Sequence, residues 1–161
     1  LLRSLSGFLR GSTELLLRER VPFGDELALV RHYLAVMQAR LGDRLRVAVD
    51  VDEQLAAREL PPGLLLTLVE NAVEHGASPA LAGATVQIAA GRATAGVDGW
   101  WFSVCDDGAG LAPGWRDGVG LRNTRERLAH AFGPRATLDL SPRADGGTAV
   151  RVDLPTDALS A

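Results

Sequence analysis

The chain has 161 residues, with 17 basic and 20 acidic side chains and a formal net charge of −3. Every basic side chain is Arg; the absence of Lys excludes a Walker-type phosphate loop, Schiff-base chemistry and pyridoxal-phosphate attachment. The mild acidity disfavours a general nucleic-acid binder, and 47% hydrophobic with 23% charged residues is the composition of a globular chain of one-domain length. The lone Cys105 cannot form an internal disulfide, which fits a reducing compartment. No apolar run approaches the roughly 20 residues of a membrane span. Arg3, Gly7, Arg10 and Gly11 interrupt the opening stretch and spoil a signal-peptide reading. A chain that begins at Leu1 reads as a piece of something longer.

Leu1 to Arg20 carries an amphipathic pattern weakened by two glycines, and Pro22 ends it. Asp25 to Leu41 is a clearer helix, with Leu27, Val30, Leu34, Met37 and Leu41 at spacings of three and four and Gly42 at the C-cap. Leu45 to Val51 alternates as a half-buried strand. Pro61 and Pro62 open a helix running to about His75, with Pro62 in its first turn, and Gly76 to Ala84 is a loop. Thr85 to Ala90 and Trp100 to Cys105 are strands, with Asp98-Gly99 as a turn between them. Asp106 to Val119 is glycine-rich and irregular, and Leu121 to Phe132 is a helix closed by Gly133-Pro134. The strands Ala136 to Leu140 and Ala149 to Leu154 flank an Asp145-Gly146-Gly147 turn. This order predicts an α+β fold: a largely antiparallel sheet covered on one face by helices.

Three segments carry the chemistry. On the helix after the prolines, Thr67, Asn71 and His75 fall four apart and form a polar stripe. Taken alone, that stripe fits a solvent-facing side as well as a site, although a mid-helix Asn needs a reason. Asp106-Asp107-Gly108-Ala109-Gly110 closes a strand with a carboxylate and two alternate glycines, which let backbone approach a flat ligand; alone it reads as an ordinary turn. Gly118-Val119-Gly120-Leu121-Arg122-Asn123 opens a helix whose free N–H groups suit an anion, and Asn123 where a third glycine would stand sets it apart from the dinucleotide fingerprint.

In this order the three segments resemble the N, G1 and G2 boxes of the GHKL superfamily of ATP-binding domains, the Bergerat fold. The wider chain is similar to the LytS/AlgZ-type branch of sensor histidine kinases through Val21-Pro22, Glu26-Leu27, Tyr33-Leu34, Arg40 to Leu45, Pro61-Pro62, Leu68 to Ala72 with His75-Gly76, Gly118 to Asn123, Arg125 to Leu128 and Gly146-Gly147-Thr148. The resemblance implies a two-layer α/β sandwich with a mixed, mostly antiparallel sheet and helices on one face, with residues 1–42 the end of a dimerisation helix and a linker helix, and 43–158 the ATP-binding catalytic domain. It implies that Asp106 accepts from the adenine amine, that Asn71 is the metal ligand for Mg2+, and that Gly118 and Gly120 cradle phosphate around a short lid. His75, Gly108, Gly110, Leu121, Arg122 and Thr148 complete the implied ATP site, and Arg125 is a further candidate phosphate partner. The implied activity is a protein-histidine kinase that uses ATP and Mg2+ and relays the phosphoryl group to a response regulator. The full-length protein would be a homodimer carrying its own dimerisation and phosphoacceptor domain, with this domain cytoplasmic and the parent membrane-anchored.

Two positions depart from the family pattern. ATP-hydrolysing GHKL enzymes carry Glu four residues before the N-box Asn; here Thr67 stands there, which favours transfer over hydrolysis. Glu74 replaces the Lys or Arg that many histidine kinases have three residues after the Asn. Glu70 is then the nearby candidate catalytic base, beside Asn71. None of His32, His75 or His130 has the Pro-His-Phe setting of the branch's phosphoacceptor, so the acceptor is expected upstream of Leu1. The alternatives are a GHKL ATPase, an anti-sigma-type Ser or Thr kinase, and a partner-binding module that has lost nucleotide.

Overall fold

A computed structural model describes residues 12–13, 15, 17–94, 98–111 and 117–156. The expected helix at 1–20 lies largely outside the described residues. Val21–Pro22 (β1) pairs antiparallel with Glu59–Leu60 (β3), and Phe23–Leu41 (α1) follows directly. The N–H groups of Phe23 and Gly24 bond the carbonyls of Arg58 (2.7 Å) and Ala56 (2.9 Å), so α1 starts two residues earlier than its apolar period predicts.

Five strands form the main sheet: Leu45–Val51 (β2), Ala84–Arg92 (β4), Trp100–Asp106 (β5), Thr137–Pro142 (β6) and Thr148–Leu154 (β7), in the order β2-β4-β5-β7-β6. β2 runs parallel to β4 and the other pairs are antiparallel, which makes the sheet mixed and mostly antiparallel as predicted. Val86, Ile88, Phe102, Val104, Val150 and Val152 point to the covered face. On it lie α1, Leu64–Asn71 (α2) and Val119–Phe132 (α3). Phe23 anchors α1 there, its ring 5.1 Å from Trp100 edge-on and 5.7 Å from Phe102. On the opposite face the Arg151 guanidinium sits 4.4 Å from the Trp101 ring centre. No helix among the described residues is long and apolar enough to cross a membrane.

The helix predicted from Pro61 begins later. Pro61 and Pro62 form the turn out of β3, Gly63 takes a left-handed conformation (φ 81°), and α2 starts at Leu64. Its N-terminal cap comes from another helix. Glu26 of α1 is fully buried, and its carboxylate accepts from the N–H of Gly63 and, at 2.8 Å, from that of Leu65. A carboxylate there satisfies donors that the apolar layer hides from water and faces the positive end of the helix dipole. At the other end Arg44 donates to the carbonyls of Ser78 (2.7 Å) and Ala80 (3.2 Å). Beyond Asn71 the helix loosens into a π-helical turn, Ala72–Ala77, with the Ser78 N–H reaching the carbonyl of Val73 at 2.7 Å.

Burial pushes the Glu26 pKa from 4.5 up to about 7, against the pull of the N–H bonds and of Arg127. A folded pKa above the unfolded one means proton uptake on folding, so this group's contribution is full below about pH 4.5 and is lost as pH rises through about 7. Burial raises Asp106 and Glu70 in the same direction. Urea unfolding at pH 5.5 and pH 8 is expected to find the protein less stable at the higher pH. Glu26 accounts for on the order of 2 kcal/mol of that difference. Glu26→Gln should remove this share, and an unchanged pH slope in the variant would contradict it.

Candidate functional site

A cleft of about 350 Å³ opens between the end of α2, the last residues of β5, the start of β7 and the first turn of α3. Leu68, Asn71, Ala72, His75 and Gly76 form one wall. Val104, Asp106, Leu140, Thr148 and Val150 form the sheet side, and Gly110, Leu111, Gly118, Gly120 and Leu121 complete the lining. Much of this surface is apolar, and the polar groups are few and spaced, the usual make-up of a small-molecule site.

Asp106 ends β5 opposite Thr148 of β7 and is only 4% exposed. Its Oδ1 accepts the N–H of Gly108 at 3.0 Å. Burial raises its pKa, while the bonds from the Gly108 and Thr148 backbones and the charge of Arg143 act against that rise. Its surroundings leave no room for side chains: a Cβ on Gly76 would stand inside the Asp106 carboxyl, one on Gly108 would overlap the Gly76 carbonyl, and one on Gly147 would overlap the Asp106 carbonyl. Gly76 also accepts the Ala109 N–H at 3.2 Å. The carboxylate is therefore wedged between the π-helical turn and the strand end, held by backbone alone.

Asn71 faces the cleft from the last residue of α2, half-buried. A Cβ on Gly120 would lie 3.2 Å from the Thr67 methyl and 4.0 Å from the Asn71 amide nitrogen, so the first turn of α3 closes directly over α2. Thr67 points its methyl there and donates its hydroxyl to the Gly63 carbonyl at 2.8 Å. The first hydrogen bond inside α3 runs from Arg122 N–H to the Gly118 carbonyl at 3.1 Å, so the N–H groups ahead of it have no carbonyl within the helix.

Of the residues singled out in the sequence, Asn71, His75, Asp106, Gly110, Gly118, Gly120, Leu121 and Thr148 line this one cleft. Gly108 stands behind it as a support of Asp106. Arg122 is exposed at the start of α3 and does not line it. Glu70, the expected base, does not line the cleft, and its charge bears on buried Tyr33 of α1. The Tyr33 hydroxyl is pushed up to about 12 by burial first, then by Glu70 and Glu74. Arg125 is likewise committed elsewhere, to Asp117 at 2.6 Å and to the Leu138 carbonyl. The sequence reading missed the apolar walls Leu68, Val104, Leu140 and Val150, whose two-residue and four-residue spacings serve core packing equally well.

Among the described residues no three His, Cys, Asp or Glu side chains gather to hold a metal. The amide oxygen of Asn71 suits a hard cation that takes the rest of its ligands from phosphate and water, as Mg2+ does.

The family model for the "Histidine kinase-, DNA gyrase B-, and HSP90-like ATPase" matches residues 63–158, the span from the N-cap of α2 past the end of β7. The sensor histidine kinase YesM of Bacillus subtilis (strain 168) is 29% identical over 155 residues, covering 92% of this chain and 26% of its own length. The sensor protein LytS of Enterococcus faecalis (strain ATCC 700802 / V583) is 28% identical over 172 residues, covering 98% and 28%. The chain thus spans little more than a quarter of either relative. Among solved structures, the histidine kinase domain of the Erythrobacter litoralis EL346 blue-light activated histidine kinase shares the fold, with a TM-score of 0.63 at 22% identity over 95% of this chain and 75% of that one. The chain belongs to the histidine kinase-, DNA gyrase B- and HSP90-like (GHKL) ATPase family and is of the catalytic-domain type found in LytS-type sensor histidine kinases.

Proposed function

We propose that the cleft binds Mg·ATP and presents its γ-phosphoryl group to a histidine outside this chain. The observation that carries this reading is the wedged, buried carboxylate of Asp106 at the floor of a cleft whose rim is the N-terminus of a helix. A buried carboxylate with free acceptor capacity calls for a donor from the ligand. The exocyclic amine of adenine donates there, whereas guanine presents a carbonyl that a carboxylate repels. Leu68, Val104, Leu140 and Val150 cover the faces of the base. The backbone N–H groups at Gly118 to Leu121 cradle phosphate, and the dipole of α3 adds to their attraction. Asn71 offers its amide oxygen to Mg2+, which when bound neutralises charge on the phosphate oxygens. The chain's own contribution is positioning and charge stabilisation.

Thr67 decides between transfer and hydrolysis. Its hydroxyl is spent on the Gly63 carbonyl, and a neutral hydroxyl is no base for water. Glu70 does not line the cleft, so no carboxylate of α2 stands in its lining to activate a nucleophile. The phosphoryl group therefore leaves to a nucleophile brought by another domain. In the full-length protein that nucleophile is a histidine of a dimerisation helix, with residues 1–42 leading from it to the catalytic domain at 43–158. The parent is a membrane-anchored homodimer that passes the phosphoryl group to a response regulator.

Calorimetric titration in Mg2+ tests the site. The folded chain should bind ATP in preference to GTP, and Asp106→Asn should weaken ATP by about 10- to 100-fold, the loss of one charge-assisted hydrogen bond. Failure of the folded chain to bind ATP would leave a partner-binding module as the better reading. For the chemistry, incubation with γ-labelled ATP should leave no stable label on this chain alone and release no phosphate above buffer. Steady-state phosphate release would instead favour the ATPase.

A further inference from the structure

The nucleotide-facing helix is held at both ends by one neighbouring segment. Glu26, in the first turn of α1, puts a buried carboxylate on the N–H groups of Gly63 and Leu65. Arg44, in the turn that follows α1, puts its guanidinium on the carbonyls of Ser78 and Ala80. The negative group meets the positive end of the helix dipole and the positive group meets the negative end. Between these clamps lie Thr67 and Asn71, then His75 and the Gly76 backbone on which the Asp106 carboxyl rests. Neither clamp residue lines the cleft.

We propose that Glu26 and Arg44 are positioning residues for the nucleotide site: by clamping α2 and its π-helical turn along their axis, they set where Asn71 and Gly76 stand. The structural argument has three parts. First, α2 has only two turns of regular helix and is too short to hold its own position. Second, α2 runs on into a π-helical turn that departs from the α-helical i→i−4 ladder, and the carbonyls beyond that turn are met by Arg44 from outside the helix. Third, the fixings come from the start and from just beyond the end of a single 19-residue helix, so α1 acts as a splint. A displacement of α1 then moves Asn71 and Gly76 together, which makes α1 the route by which a shift upstream reaches the cleft.

The inference rests on the nucleotide reading for its functional consequence, and the experiment separates the two. Glu26→Gln keeps the side-chain volume but turns an amide NH2 toward one backbone N–H. Arg44→Gln alters an exposed residue and should leave folding intact. In 15N-labelled protein, either variant should shift the side-chain amide of Asn71 and the backbone amides of Ala72 to Ala77, well beyond the capped residues. Affinity for Mg·ATP, measured where the variants are folded, should fall about tenfold in each. Arg44→Lys should restore most of it, because an ammonium still donates to the terminal carbonyls. Shifts confined to Gly63–Leu66 or to Ser78–Ala80, with Asn71 unmoved, would overturn the proposal. So would a lowered unfolding midpoint with unchanged ATP affinity in the folded variants. If the wild-type chain binds no ATP, the nucleotide reading fails, and the amide shifts alone decide whether α2 is positioned from its ends.

Discussion

Two turns of helix with their first N–H groups buried in an apolar layer are unstable by themselves. That constraint on α2 explains much of the surrounding architecture. A local serine or aspartate cap would have to sit at Gly63, but that residue has left-handed geometry and no side chain. The cap is imported from α1, so Glu26 must lie on the face of α1 that packs inward with Phe23, Val30, Tyr33 and Met37. Burying a carboxylate is costly, and the proton affinity of Glu26 records that cost. The N–H donors it satisfies would be equally costly if left bare. Each burial is tolerable only because of the other, and this mutual dependence locks the helical layer to one arrangement.

The strands were legible because one face of the sheet is covered and the other is open. Leu45–Val51 alternates cleanly and has the bounds its pattern predicts, while β4, β5 and β7 differ from expectation only at their ends. The pairing of β2 with β4 in parallel was not legible, since alternation says which face is buried and nothing about direction. The prolines at 61 and 62 misled in a different way. Pro is tolerated in a first helical turn, but Leu60 had already paired with Val21, and the turn out of that small ribbon used both prolines.

The site was readable in its polar landmarks and obscure in its supports. Asn71, Asp106 and the glycine pairs stand out because each residue type is a poor choice for the element that holds it. Glu26 carried a signal too: it falls on the 23, 26, 30, 33, 37 series of inward positions, where a carboxylate is out of place. The stripe through Leu27, Val30, Leu34 and Met37 matches the apolar count nearly as well and hides it. Arg125 shows the converse failure. A basic residue on the first turns of a phosphate-facing helix invites a phosphate role, yet its guanidinium joins Asp117 to the Leu138 carbonyl and so ties the start of α3 to β6. Only the folded chain distinguishes a free cation from one already spent.

A chain with no lysine spends its arginines on geometry. Arg44 bridges two carbonyls, Arg143 and Arg151 each fork onto an aspartate two residues away, and Arg125 spans a carboxylate and a carbonyl. Planar guanidinium groups suit such double acceptors better than a point-like ammonium. None of these arginines lines the cleft, and its described lining contains no arginine. In the proposed complex, charge on the phosphate chain would be met by backbone N–H groups at the start of α3, by a metal ion on Asn71, or by exposed Arg122 turning inward. The first two depend on where α2 and α3 stand relative to each other, and the two helices leave little room at position 120, where a Cβ would stand 3.2 Å from the Thr67 methyl. Thr67 therefore matters for more than the absence of a base. A longer side chain there would crowd position 120 and part α2 from α3, so on the proposed reading the residue that offers no base for hydrolysis also keeps the two helices close enough to meet one phosphate chain.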